Sequence, residues 1–96
     1  MNIHITDEAT QWYEQELDIQ SGDAVRFFVR YGGIGGRIAG FSLGLSVESP
    51  DNIYASVSKN GITFFIEETD DWYFDQVDLN VQFDKNLEEP QFIYES

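Results

Sequence analysis

The chain has 96 residues, 18 acidic against 5 basic, a formal net charge of −13 at pH 7 and no cysteine. Its length allows one domain, since domains hold roughly 100–200 residues, and excludes an enzyme built from separate cofactor and substrate lobes. The charge argues against nucleic acid and anionic membranes as partners, because both call for Lys and Arg, and the missing thiols exclude disulfides and self-ligated iron–sulfur clusters.

Ile3 and Ile5 alternate with polar neighbours, which predicts a short first strand. Thr6 is placed to cap a helix whose first turn carries Asp7 and Glu8. Ala9, Trp12, Tyr13 and Leu17 then follow helical spacing, so residues 7–17 are expected to form one amphipathic helix, stopped by Ser21-Gly22-Asp23. Residues 24–31 predict a strand with Val25, Phe27 and Val29 on one face and Arg26, Phe28 and Arg30 on the other. The run Gly32-Gly33-Ile34-Gly35-Gly36 is too glycine-rich for a regular element.

The segment 40–47 alternates cleanly. Phe41, Leu43, Leu45 and Val47 make an apolar face, while Gly40, Ser42, Gly44 and Ser46 make a face of small residues, a pattern expected where a backbone or ligand comes close. Two β-rich runs, 53–58 and 62–66, flank Lys59-Asn60-Gly61, and Asn-Gly in that setting signals a hairpin. Glu68, Thr69, Asp70 and Asp71 lead into Trp72-Tyr73-Phe74 and Val77, which reads as a short acid-capped helix. Val81 and Phe83 predict one more strand, and Phe92 and Tyr94 a last one. The expected order is β-α-β-β-β-β-α-β-β. It predicts an α+β fold, mainly β with two short helices, arranged as a compact and mostly antiparallel barrel or sandwich.

The glycine stretch Val29-Arg30-Tyr31-Gly32-Gly33-Ile34-Gly35-Gly36, followed by the alternating strand at 41–47, resembles the HesB/IscA-like core domain. The opening Ile3-His4-Ile5-Thr6-Asp7-Glu8-Ala9 and the hairpin ending in Asn60-Gly61-Ile62-Thr63-Phe64-Phe65-Ile66 stand in that family's order. The resemblance covers nearly the whole chain, and it implies one such domain over residues 1–96. It also implies a small mixed β fold and a link to iron–sulfur cluster assembly. The family's ligands are three cysteines, one in the glycine loop and a pair in the C-terminal tail. Here Ile34 occupies the loop position and the chain stops at Ser96, so the implied member is a cysteine-free one. An isoleucine offers a metal no lone pair, so no cofactor and no resident metal are expected.

Among candidate sites the glycine loop stands first. Arg26, Arg30 and Arg37 lie close together in an otherwise acidic chain. Glycine-loop N–H groups and a guanidinium fork suit a small anion, so Arg30, Gly32, Gly33, Ile34, Gly35, Gly36 and Arg37 form the candidate ligand-binding set. The plainer alternative is a tight turn whose arginines pair with carboxylates. His4 is the one histidine, and a lone imidazole makes no metal site. The acids Glu67, Glu68, Asp70, Asp71, Asp75 and Asp78 could together hold a hard divalent cation, or simply form a solvated helix start. The paired aromatics exceed what one small core covers, which points to a groove or a homodimer face.

No nucleophile elbow or Ser/His/Asp arrangement is present, so an enzyme is not expected. The resulting expectation is an accessory or adaptor protein of iron–sulfur metabolism, cytoplasmic, acting by binding a protein partner or small ligand. A small-anion domain and a carboxylate cation binder stand as the alternatives.

Overall fold

The computed structural model describes residues 1–96. Its elements are β1 (Ile3–Ile5), α1 (Asp7–Glu16), β2 (Ala24–Tyr31), β3 (Phe41–Val47), β4 (Ile53–Lys59), β5 (Ile62–Glu67), a 3-10 turn (Glu68–Asp70), α2 (Asp71–Phe74), β6 (Asp78–Asp84) and β7 (Glu89–Glu95). The chain order is the one expected, and the fold is mainly β with two short helices.

The local signals act as their chemistry predicts. Thr6 is extended, and its hydroxyl accepts the Ala9 N–H at 3.1 Å, satisfying one of the orphan donors of the first turn. At the β4–β5 turn Asn60 and Gly61 have φ of 54° and 78°. Both are positive, as a tight two-residue hairpin of this twist requires.

Two sheets form, with orders β1-β6-β7 and β3-β2-β5-β4. The β2–β3, β4–β5 and β6–β7 pairs are antiparallel, while β1–β6 and β2–β5 are parallel. Antiparallel pairing therefore dominates; β2 and β5 run parallel because the chain crosses from the β3 edge to the β4 edge of one sheet, and β1 and β6 because the whole other sheet is formed between them. The sheets do not close into a barrel. On one side β1 approaches β4; on the other, β3 and β7 remain as edges.

Both sheets contribute to one cluster of 17 buried residues. Tyr13 of α1, Phe27 of β2 and Phe64 of β5 lie at its centre. Phe27 and Phe64 stack at 5.9 Å, and Tyr13 packs against them at 6.1 and 5.8 Å. Phe92 of β7 meets Phe27 edge-on at 5.6 Å, which ties the sheets together. Strand β5 is central, so both its faces are covered: Ile62, Phe64 and Ile66 point into the cluster, and Phe65 is buried outside it. The cross-strand neighbours of Phe65 are Arg26 and Ser56, and an arginine's aliphatic stem is suited to such cover. No helix is long and apolar enough to cross a membrane.

The small-residue face of β3 departs from expectation. Its space is filled by the chain's own side chains rather than by a foreign backbone or ligand. The Phe28 ring lies over Gly44, where an added Cβ would come within 2.5 Å of it. Arg30 Nε donates to Ser42 Oγ at 3.0 Å.

Candidate functional site

The loop between β2 and β3 is closed at its base by Gly32 N–H donating to Gly40 C=O at 2.7 Å. Its far side is clasped by α2. The Tyr73 hydroxyl accepts the Arg37 N–H at 2.6 Å, and Arg37 Nη1 donates to the Tyr73 carbonyl at 3.0 Å. Tyr73 is fully buried, so the clasp has a rigid anchor. It tolerates no side chain at Gly36: an added Cβ would collide with the Phe41 carbonyl oxygen and lie 2.6 Å from the Tyr73 hydroxyl. Gly36→Ala is accordingly expected to cost about 2–3 kcal/mol, the usual range for overpacking against atoms that cannot yield. Gly35 has φ +81° and open space around it, so Gly35→Ala should cost only the left-handed backbone strain, about 1–2 kcal/mol. Denaturant titrations of the two variants compare these losses; a Gly36→Ala loss below that of Gly35→Ala would rule out the clasp.

Arg30, Gly33, Ile34, Gly35 and Gly36 line a cavity of about 180 Å³ together with Ser42, Leu43, Phe92 and Tyr94. Gly32 and Arg37 do not line it. Arg37 is turned toward Tyr73 instead, so the structure does not converge the two arginines on one centre. Burial, and after it the Tyr73 hydroxyl, holds the Tyr94 phenol above the ordinary tyrosine range. This wall of the cavity therefore stays uncharged.

The acidic residues disperse in the same way. Glu67 is buried and accepts the backbone N–H groups of Asp51 and Asn52 at 2.7 and 2.6 Å. Asp70 pairs with Arg26 at 3.1 Å, and Asp78 accepts the Asn2 N–H at 2.8 Å. No three His, Asp or Glu side chains are grouped so as to hold a metal ion, and His4 is exposed on β1. No carboxylate cation site forms: Glu67 and Asp78 serve as backbone acceptors and Asp70 as an ion-pair partner.

What the structure does assemble is apolar and exposed. Ile34, at the loop tip, is 98% exposed and Tyr31 is 87% exposed. Tyr31 meets Phe41 edge-to-face at 5.7 Å, Phe41 meets Trp72 at 5.4 Å, and Trp72 meets the buried Tyr73 at 5.8 Å. This aromatic ladder runs from the end of β2 across the start of β3 to α2, and Trp72 is half exposed on it. Exposed aliphatic and aromatic side chains of this kind are enriched at protein–protein interfaces. The sequence pointed to the loop and, among several aromatic pairs, to Trp72-Tyr73-Phe74 as groove or interface candidates, but not to Tyr31 and Phe41. The aromatic excess was the available signal, yet the run Trp72-Tyr73-Phe74 does not say which ring faces outward.

No protein-family model matches the chain. The chain is 50% identical over 95 residues to a Bacillus subtilis (strain 168) protein named pyruvate dehydrogenase inhibitor, covering 99% of this chain and 100% of that one. It is 33% identical over 92 residues to an uncharacterized Staphylococcus saprophyticus protein, covering 93% and 94% of the two chains. With an uncharacterized Staphylococcus epidermidis protein the identity is 37% over 84 residues, covering 84% and 86%. These findings overturn the resemblance to the HesB/IscA-like core domain and the iron–sulfur role drawn from it. The Bacillus subtilis relative is named as an inhibitor of pyruvate dehydrogenase, and order-level similarity of short glycine and hairpin motifs does not outweigh identity along a whole chain. Of the small-anion set, Arg37 is turned to the Tyr73 carbonyl and does not line the loop cavity. The chain belongs to the family that includes the Bacillus subtilis pyruvate dehydrogenase inhibitor and these staphylococcal proteins.

Proposed function

We propose that this chain is a regulatory protein that inhibits pyruvate dehydrogenase by binding to it. The observation that carries this reading is the 50% identity over the full length of the Bacillus subtilis protein of that name. Its contact residues are the exposed Ile34, Tyr31 and Trp72, the two rings being joined through the half-buried Phe41. Interface centres are enriched in aromatic residues, and a few of these carry most of the binding free energy. Arg30, Gly32, Gly33, Gly35, Gly36 and Arg37 serve this surface as the frame that holds Ile34 outward. The frame is rigid at the Tyr73 clasp, so little conformational entropy is lost on docking.

The test is a titration of the purified chain into purified pyruvate dehydrogenase, following pyruvate-dependent turnover. The expected result is a saturable fall in activity, with a complex that survives gel filtration. Full activity at a large molar excess of the chain, with no complex formed, would refute the proposal.

A further inference from the structure

The four edge strands of the two sheets are β1, β7, β3 and β4, and they are not equally protected. Strand β1 has three residues. Strand β7 carries Pro90 between Glu89 and the following residues and ends on Glu95. Strand β4 ends on Lys59 and has a register break between Ile53 and Ala55. Short length, proline, charge and bulges are the usual devices against edge-to-edge pairing. Strand β3, Phe-Ser-Leu-Gly-Leu-Ser-Val, has none of them. Its pairing with β2 is unbroken from Val25↔Val47 to Tyr31↔Phe41.

The hydrogen bonds fix which groups face the open side. Glu48 N–H donates to Ala24 C=O, and Gly32 N–H to Gly40 C=O. Even-numbered residues of β3 therefore give their backbone groups to β2, and Leu43, Leu45 and Val47 turn theirs outward. Leu45 is only partly buried and Val47 is 52% exposed. An uncharged, unbulged edge with free backbone groups and exposed apolar side chains is a template for another strand.

We propose that β3 pairs antiparallel with β3 of a second copy of this chain about a two-fold axis at Gly44. That register satisfies the outward groups: Leu43 and Leu45 of the second copy form one hydrogen-bonded pair, and Phe41 and Val47 of the second copy another. With no side chain at Gly44, the Phe28 rings of both copies close over the axis. Charge complementarity selects a second copy as the occupant. Arg30 lies on the outer face opposite Ser42. Its Nε is held by Ser42, and it forms no ion pair within the chain. In this register Ser42 faces Ser46 of the second copy, and Glu48 of that copy lies on the same face one diagonal step away, within reach of an arginine. In its own chain Glu48 accepts from Ser46 Oγ at 2.6 Å and stands 3.5 Å from Arg26, a solvent-exposed pair to which a second guanidinium can be added. The two-fold repeats the Arg30–Glu48 contact on the other side. The net charge of −13 on each copy opposes association at long range, and at about 0.15 M salt that repulsion is screened over about 8 Å.

This proposal is independent of the enzyme target and is tested on the chain alone. Sedimentation velocity across the micromolar range should show a concentration-dependent monomer–dimer equilibrium. Arg30→Glu and Glu48→Arg should each weaken the dimer by about tenfold or more, and the double variant should recover most of that loss. Val47→Lys, which adds a charge at an already exposed position, should weaken it comparably. Hydrogen exchange at the Leu43, Leu45 and Val47 amides should slow as concentration rises, and circular dichroism checks that each variant is folded. A wild-type chain that stays monomeric throughout, or a dimer indifferent to the charge swaps and to Val47→Lys, would overturn the proposal.

Discussion

Trp72→Ala is expected to weaken inhibition of pyruvate dehydrogenase by about thirtyfold or more, equivalent to about 2 kcal/mol of binding, the scale of a central aromatic contact. Trp72 is half exposed and stands on two edge-to-face contacts, with Phe41 at 5.4 Å and Tyr73 at 5.8 Å. Those contacts hold the indole in one orientation, so its exposed area is presented at little entropic cost. Removing it should destabilise the chain by only about 1 kcal/mol, because the ring is not a core group and loses mainly its aromatic pairing. The loss of inhibition therefore exceeds the loss of stability, which separates a binding role from a structural one. Trp72→Phe should retain part of the effect by preserving a ring at the end of the ladder. The two variants are compared by inhibition curves alongside thermal melts. A Trp72→Ala protein that inhibits as well as the wild type would exclude the aromatic ladder as the contact surface without bearing on the proposed inhibition itself.

Phe64→Ala should produce the largest loss of stability of the changes considered, about 3–5 kcal/mol, typical of emptying a buried aromatic site. Phe64 is fully buried on the central strand β5 and contacts both Tyr13 of α1 and Phe27 of β2. Its neighbours cannot easily collapse into the space, since Phe27 is itself held by Phe92 from the other sheet. Domains of this size have total stabilities of about 5–15 kcal/mol, so the variant sits near the edge of folding at room temperature. Urea denaturation followed by circular dichroism measures the loss directly. A change under about 1 kcal/mol would mean that the three-ring centre does not bear the packing assigned to it. Phe65→Ala is the natural comparison: Phe65 is as buried but lies outside the main cluster, on the face shared with Arg26 and Ser56.

Much of the fold was legible in the order of residues because the deciding interactions are local. Thr6 caps α1 through a contact three residues away, and Asn60-Gly61 makes its turn through backbone freedom that belongs to those two positions. Alternation in β2 and β3 follows from the pleat, so Phe27 and Leu43 point inward whatever the partner strands are. The glycine loop could be singled out for the same reason, since a run of glycines excludes helix and strand by itself.

The surface came from contacts distant in sequence, which composition does not encode. Arg30 and Arg37 looked like a pair from their spacing, yet the fold sends one to Ser42 and the other to Tyr73. The acids at 67–78 looked like a cluster, yet Glu67 turns toward the 51–52 turn, Asp70 toward β2 and Asp78 toward the N-terminal strand. The resemblance to HesB/IscA-like proteins failed on similar ground: short motifs in a shared order record local turn chemistry and do not identify what a surface binds. By itself the sequence determined the element order, the mainly β class, the cap, the hairpin and the absence of cysteine chemistry. Only the tertiary structure decided that the half-buried Phe41 joins the exposed Tyr31 and Trp72 in one row, that Tyr73 clamps the loop holding Ile34 in solvent, and that β3 is left as an unprotected edge. Each of these depends on which strands end up side by side, and pairing between distant segments is set by burial of the whole core and not by any one segment's pattern.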